Sequence, residues 1–224
     1  MKILFISLGC DKNLVDSEVM LGMLSDKGYQ FTDDESQADA VVINTCCFIG
    51  DAKEESINTI LEMAELRKSG QIKALVVAGC LAQRYQEEIQ TEIPEVDAII
   101  GTTALTAITS TLDEILEERP QNHLEALDKE PIGGRKRVMT TGGYYAYLKI
   151  AEGCDKHCTY CIIPKVRGNY RSIPRQELLK EAKELAEAGV KELILVAQET
   201  TLYGTDLYGK KALPELLKEL CQIE

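Results

Sequence analysis

The stretch "AVVINTCCFIGDAKEESINTILEMAELRKSGQIKALVVAGC" (residues 40–80) decides how the first half of the chain folds. "AVVINT" (40–45) and "KALVVAG" (73–79) are short, mostly apolar runs, as expected of strands buried on both faces. Between them, "AKEESINTILEMAELRKSG" places Ile57, Ile60, Leu61 and Ala64 on one side of a helix that stops at Gly70. Each strand runs directly into a cysteine, Cys46 after the first and Cys80 after the second.

The same alternation extends outward. "KILFIS" (2–7) is a strand, and the helix after it carries Leu14, Val19, Leu21 and Leu24 before Gly28. "AQRYQEEIQTEI" is helical up to Pro94, "DAIIG" (97–101) is a fourth strand, and "LTAITSTLDEILEE" is a helix ending near Pro120. Strand and helix in turn predict an α/β fold, an open parallel sheet with covering helices, over residues 1–120. Residues 121–142 break the pattern and read as a linker. Its triplet Arg135-Lys136-Arg137 reads as a solvated turn, with contact to a substrate as the alternative. A second unit, 143–224, opens with the strand "YYAYLKIAEG". The helix "PRQELLKEAKELAEAG", the strand "KELILVAQ" and the helix "LPELLKELC" follow. So few elements do not make a stable domain, so this unit is expected to be the truncated beginning of a larger one.

Composition narrows the function. The 224 residues hold 25 Lys and Arg against 37 Asp and Glu, a formal charge of -12. That balance disfavours a broad grip on nucleic-acid phosphates and suits a basic protein partner. Neither a membrane-length apolar run nor a signal-peptide pattern is present, so the chain is expected to be cytoplasmic, with no membrane partner. Two histidines, His123 and His157, leave little room for a histidine-rich zinc site or a Ser-His-Asp hydrolase. Eight cysteines in a reducing compartment point to metal or redox chemistry in place of disulfides.

The cysteines sort into two triplets and a pair. Cys10, Cys46 and Cys80 each follow a strand. C-terminal strand ends share one edge of a parallel sheet, the edge where open α/β sheets bind ligands. Cys154, Cys158 and Cys161 lie in "CDKHCTYC" with C-x3-C-x2-C spacing. Cys47 and Cys221 read as structural. A structural zinc site or an ordinary [4Fe–4S] cluster takes four protein ligands, so three leave one metal position open to a substrate or cofactor.

C-x3-C-x2-C just after a strand resembles the radical S-adenosylmethionine (SAM) enzymes. "SLGCDKNLVDSE", "VINTCCFI" and "AGCLAQRY" narrow the resemblance to the methylthiotransferase family. "GYYAYLKIAEGCDKHCTYCIIPKVRGNYRS" and "KELILVAQETTLYGTDLYG" resemble its branch that modifies an aspartate of the twelfth small-subunit ribosomal protein. The resemblance implies two [4Fe–4S] clusters and SAM as cofactors. Cys154, Cys158 and Cys161 would hold the SAM cluster, and Cys10, Cys46 and Cys80 an auxiliary one. Tyr160 would lie beside the adenine, with Gln198 and Glu199 as further SAM contacts. The implied fold of the second unit is the start of a partial (β/α) barrel. Beyond it the family has the rest of the barrel and a small substrate-recognising β-barrel, without which this stretch is expected to fall short of full activity. The implied chemistry is hydrogen removal from the aspartate β-carbon by a SAM-derived radical, followed by delivery of a methylthio group. The implied partners are the ribosomal protein, an electron donor and a sulfur donor. Three rival readings stay open: a tRNA adenosine methylthiotransferase, a two-cluster electron carrier and a zinc module.

Overall fold

The computed structural model describes residues 1–131 and 133–223. Ile132 in the expected linker and Glu224 at the end of the expected second domain lie outside the described residues. The chain divides into two compact units, Met1–Ala126 and Leu127–Glu224.

The first unit is an α/β sheet of five parallel strands. In chain order its elements are β1 (Lys2–Ser7), α1 (Asp11–Asp26), β2 (Gln30–Thr32), β3 (Ala40–Thr45), α2 (Gly50–Lys68) and β4 (Ala74–Gly79). Then come α3 (Cys80–Arg84), α4 (Gln86–Glu92), β5 (Ala98–Ile100) and α5 (Ile108–Leu116). The spatial order is β2-β1-β3-β4-β5. Every residue of β3 and β4 is buried, as central parallel strands covered on both faces require. Ser7 pairs with Asn44 and Thr45 with Gly79, so the C-terminal ends of β1, β3 and β4 lie level along one edge.

Two details differ from the sequence pattern. The edge strand β2 was not expected; it has three residues and its apolar Phe31 is exposed, so it lacks a buried face to announce it. The helix expected over "AQRYQEEIQTEI" is two helices, because Tyr85 leaves the helical region at φ -121°, ψ 35°. Beyond α5 the chain stays on the sheet: His123 N donates to Ile99 O and Asn122 Oδ1 accepts from Ile99 N.

The second unit contains β6 (Tyr145–Lys149), β7 (Ala151–Glu152), α6 (Ile163–Arg167), β8 (Arg171–Ser172) and α7 (Arg175–Glu187). β9 (Glu192–Val196), α8 (Thr205–Tyr208) and α9 (Leu213–Leu220) complete it. β6 and β9 pair in parallel, and β7 and β8 form a short antiparallel ladder. The expected strand "YYAYLKIAEG" is thus two strands, broken at Ile150. Leu148, Ile150, Ile173, Leu178, Tyr203 and Leu216 form the buried core of this unit. Arg137 corrects the expected solvated turn: its side chain is only 2% exposed, where Nη1 meets Glu181 Oε1 at 3.2 Å and donates to Tyr147 O at 2.9 Å. No described helix is long and apolar enough to cross a membrane.

Candidate metal centres

In the first unit, Cys10, Cys46 and Cys80 stand at the C-terminal ends of three adjacent strands. Cys10 caps α1 two residues beyond Leu8, Cys46 follows the last residue of β3, and Cys80 is the first residue of α3. Cys46 and Cys80 come immediately after the register pair Thr45 and Gly79.

Glycine makes the close approach of these turns sterically possible at two positions. Gly9 has φ +94°, and a Cβ there would lie 2.5 Å from Cys46 Cβ and 3.0 Å from its Sγ. Gly79, also at φ +94°, would set a Cβ 2.6 Å from Thr45 O and 2.3 Å from Asn44 Oδ1. Any L side chain would be strained in that conformation and would also collide. The residue before Cys10 and the residue before Cys80 therefore both have to be glycine for those turns to approach β3.

The thiols differ in surroundings. Cys46 and Cys80 are buried and Cys10 is exposed. The backbone of Cys46 is held by Ser56 of α2, which accepts from its N–H and donates to its carbonyl, both at 3.0 Å. Cys47 turns toward α3, its thiol donating to Cys80 O at 3.3 Å. Adjacent residues beyond a strand end diverge in this way.

In the second unit, Cys154, Cys158 and Cys161 occupy one loop between β7 and α6. Cys158 is exposed and the other two are half-buried. Two hydrogen bonds close the base of the loop: Cys154 N donates to Gly168 O at 3.1 Å, and Tyr170 N donates to the Asp155 carboxylate, at Oδ1, at 2.7 Å. Gly153, at φ +71°, approaches Asn169 so closely that a Cβ would fall 1.9 Å from its carbonyl oxygen. Beneath the loop lies a buried ion cluster. Arg167 Nη1 donates to both carboxylate oxygens of Glu152, at 3.0 and 3.3 Å, and Lys149 Nζ donates to Oε1. Burial pushes the Glu152 carboxyl up, but Arg167 and Lys149 outweigh it and hold the group well below the usual carboxylate range.

The remaining expected residues lie on or near this loop. Tyr160 is 88% exposed, an uncovered ring beside Cys161. Gln198 Oε1 is a buried acceptor with no hydrogen-bond partner among the described residues. Glu199 bonds to Lys156, inside the cysteine loop, and to Thr201. Those two contacts draw its carboxyl down to about 2. Lys156, Lys149, Glu152 and Arg167 have no sequence signature of their own, because the charges meet only once the loop is folded.

Among the described residues no group of three or more His, Cys, Asp or Glu stands close enough to hold a single metal ion. In an iron–sulfur cluster each thiolate binds a different iron, so its ligands stand farther apart than those round one ion. Both triplets fit such a group in donor chemistry, since all six are free thiols. In the first unit the close approach at Gly9 sets the turn before Cys10 against Cys46.

The comparisons with known proteins divide at the same place as the thiols. Residues 148–224 match the Radical SAM superfamily, and residues 2–101 match the family described as "Uncharacterized protein family UPF0004". The first match spans the C-x3-C-x2-C loop and most of the second unit, and the second spans Cys10, Cys46 and Cys80. The whole chain is 66% identical over 224 residues to a protein of Lachnoclostridium phytofermentans named ribosomal protein uS12 methylthiotransferase RimO, covering 51% of that protein. A protein of the same name from Clostridioides difficile is 53% identical, with 100% of this chain and 50% of the relative aligned. One from a Thermoanaerobacter species is 50% identical over 98% of this chain and 50% of its own length. The chain spans about half the length of the curated relatives it matches, and it resembles RimO-type radical SAM methylthiotransferases from end to end.

Proposed function

We propose that the protein is a radical SAM methylthiotransferase that adds a methylthio group to the β-carbon of an aspartate in ribosomal protein uS12. The observation that carries this reading is the pairing of two thiol triplets, each within its own family match, on a chain 66% identical to a protein so named. Cys154, Cys158 and Cys161 would hold the SAM cluster, and Cys10, Cys46 and Cys80 the auxiliary cluster. Residues 1–120 form the auxiliary-cluster domain, 121–142 the connection and 143–224 the beginning of the SAM domain. When bound, these groups supply the one-electron chemistry and the sulfur that side-chain acids and bases cannot provide.

The chain's own residues bind and orient. Three thiols in the second triplet leave one metal position for SAM. The Glu152, Lys149 and Arg167 cluster fixes the base of that loop, and Glu199 fixes its middle through Lys156. Tyr160 offers a ring face to the adenine, and the buried Gln198 acceptor offers a site for a SAM donor group. The acidic surface suits a basic ribosomal protein better than tRNA. The reducing cytoplasm, with an electron donor and a sulfur donor at hand, suits free thiols.

Anaerobic reconstitution with iron and sulfide, followed by metal analysis and SAM titration, tests the reading. Iron and sulfide should load both triplets, and SAM should perturb the spectrum of one. Zinc without sulfide would refute it, and two clusters indifferent to SAM would favour an electron carrier. Ribosomes compared with unmodified tRNA as acceptors for the full-length enzyme separate the protein substrate from the nucleic-acid one.

A further inference from the structure

Asn13 is completely buried at the start of α1, where its amide reaches all three strand ends of the first unit. Its Nδ2 donates to Leu8 O at 3.1 Å and to Thr45 O at 2.9 Å. Leu8 precedes Gly9-Cys10, and Thr45 precedes Cys46. Its Oδ1 accepts from the Cys80 thiol at 3.7 Å. The amide orientation follows from these partners, because the flipped form would set Oδ1 against two carbonyl oxygens. One side chain thus touches the turn before Cys10, the turn before Cys46 and the sulfur of Cys80.

The residue is itself anchored. Asn44 of β3 donates through Nδ2 to Asn13 O and to Ser17 Oγ, both at 2.9 Å. Ser17 Oγ and Ser7 Oγ lie 2.7 Å apart. Asn13, Ser17 and Asn44 are all buried, neutral and hydrogen-bonded, a combination that favours one arrangement over its neighbours.

We infer that Asn13 is the positioning residue of the first triplet: it sets the spacing of Cys10, Cys46 and Cys80 so that they can hold one iron–sulfur group. The inference rests on the cluster reading above, and it explains what that reading leaves open, namely how ligands from three separate turns acquire one geometry. Isosteric Asn13→Asp would replace the Nδ2 donor with an oxygen facing two carbonyls. Asn13→Ser, uncharged and shorter, cannot reach all three turns. Ser17→Ala removes hydrogen bonds from the same network without touching a cysteine-bearing turn, so it serves as the structural control.

The test uses the full chain carrying Cys154→Ser, Cys158→Ser and Cys161→Ser, so that iron and sulfide report on the first triplet alone. Partners outside the ligand set commonly contribute 10–100-fold to metal affinity, so Asn13→Asp and Asn13→Ser should retain the cluster at least about tenfold less well against a chelator. Ser17→Ala should retain it like the parent. In the metal-free chain, Asn13→Ser should speed alkylation of Cys80 relative to Cys47, while Ser17→Ala leaves that ratio unchanged. Asn13→Ser carries the test if Asn13→Asp does not fold. Parent-like retention by Asn13→Ser would overturn the inference and spare the cluster reading. Equal loss in Ser17→Ala at matched thermal stability would also overturn it, by reducing Asn13 to a structural role. A parent that binds no iron and sulfide would overturn the cluster reading and the inference with it.

Discussion

The two thiol triplets are assembled by opposite routes. In the first unit the thiols come from three turns spread between Cys10 and Cys80, and a parallel sheet brings the turns level. The hydrogen bonds described for those turns come from neutral groups: the amides of Asn13 and Asn44 and the hydroxyls of Ser17 and Ser56. In the second unit the thiols share one loop, fixed by charge, with Glu152 held between Arg167 and Lys149. A ligand set assembled by topology can be held by neutral hydrogen bonds, because the sheet already supplies rigidity. A ligand set on a single loop needs a stronger clamp at its base.

Replacing ligands should break this comparison most visibly. After anaerobic reconstitution, Cys158→Ala should lose the SAM-responsive centre and keep the other, and Cys46→Ala should do the reverse. Cys47→Ala should keep both. Spectroscopy with and without SAM reads all three, and loss of SAM response in Cys46→Ala would mean the two centres are assigned the wrong way round.

The clamp comes next in size. Glu152→Ala leaves Lys149 and Arg167 buried without their carboxylate, a change that typically costs about 3–5 kcal/mol. Denaturation followed by hydrogen exchange should place that loss in the second unit. The same group makes the second unit acid-sensitive. Its folded pKa lies below the ordinary 4.5, so its contribution is complete above that value and is lost as pH falls through the folded pKa. Asn13, Asn44 and Ser17 do not titrate, so the hydrogen bonds among them carry no matching loss. Stability of the two units against pH, read by unit-resolved exchange, would contradict the contrast if the first network weakened in parallel.

Glycine substitutions sharpen the comparison at smaller scale. Gly79→Ala and Gly153→Ala each force a positive φ on alanine, a strain of about 1–3 kcal/mol before the collisions with Thr45 O and Asn169 O are added. Each should destabilise its own unit. Gly50→Ala, in the first turn of α2 with nothing within 4 Å of the new Cβ, should stabilise the first unit by about 0.4–1 kcal/mol. Chemical denaturation curves distinguish the signs.

The two sites also differ in how far they were legible before the fold was known. C-x3-C-x2-C is read directly from spacing, because the loop that holds it is local. Cys10, Cys46 and Cys80 became a group only through the inference that successive strands lie parallel, which the βαβ alternation supports and the sheet bears out. The groups that fix both sites were invisible. Asn13 reads as an ordinary polar residue near a helix start, since Leu8 O and Thr45 O approach it only after β1 and β3 pair. Lys149 and Glu152 read as the polar positions of a strand, because Arg167 reaches them from beyond the loop. Tyr85 was hidden inside a helical pattern that breaks there.

The level strand ends have a consequence for the order in which the molecule matures. The chain distance from Cys10 to Cys80 is ten times that from Cys154 to Cys161. Closing the longer span costs about 2 kcal/mol more chain entropy, and the β1, β3 and β4 pairings must supply it. The first triplet therefore exists only after those three strands have paired, and a metal ion met before then finds no such site. The second triplet needs only its own eight-residue peptide, so it can meet a metal before the rest of its unit has folded.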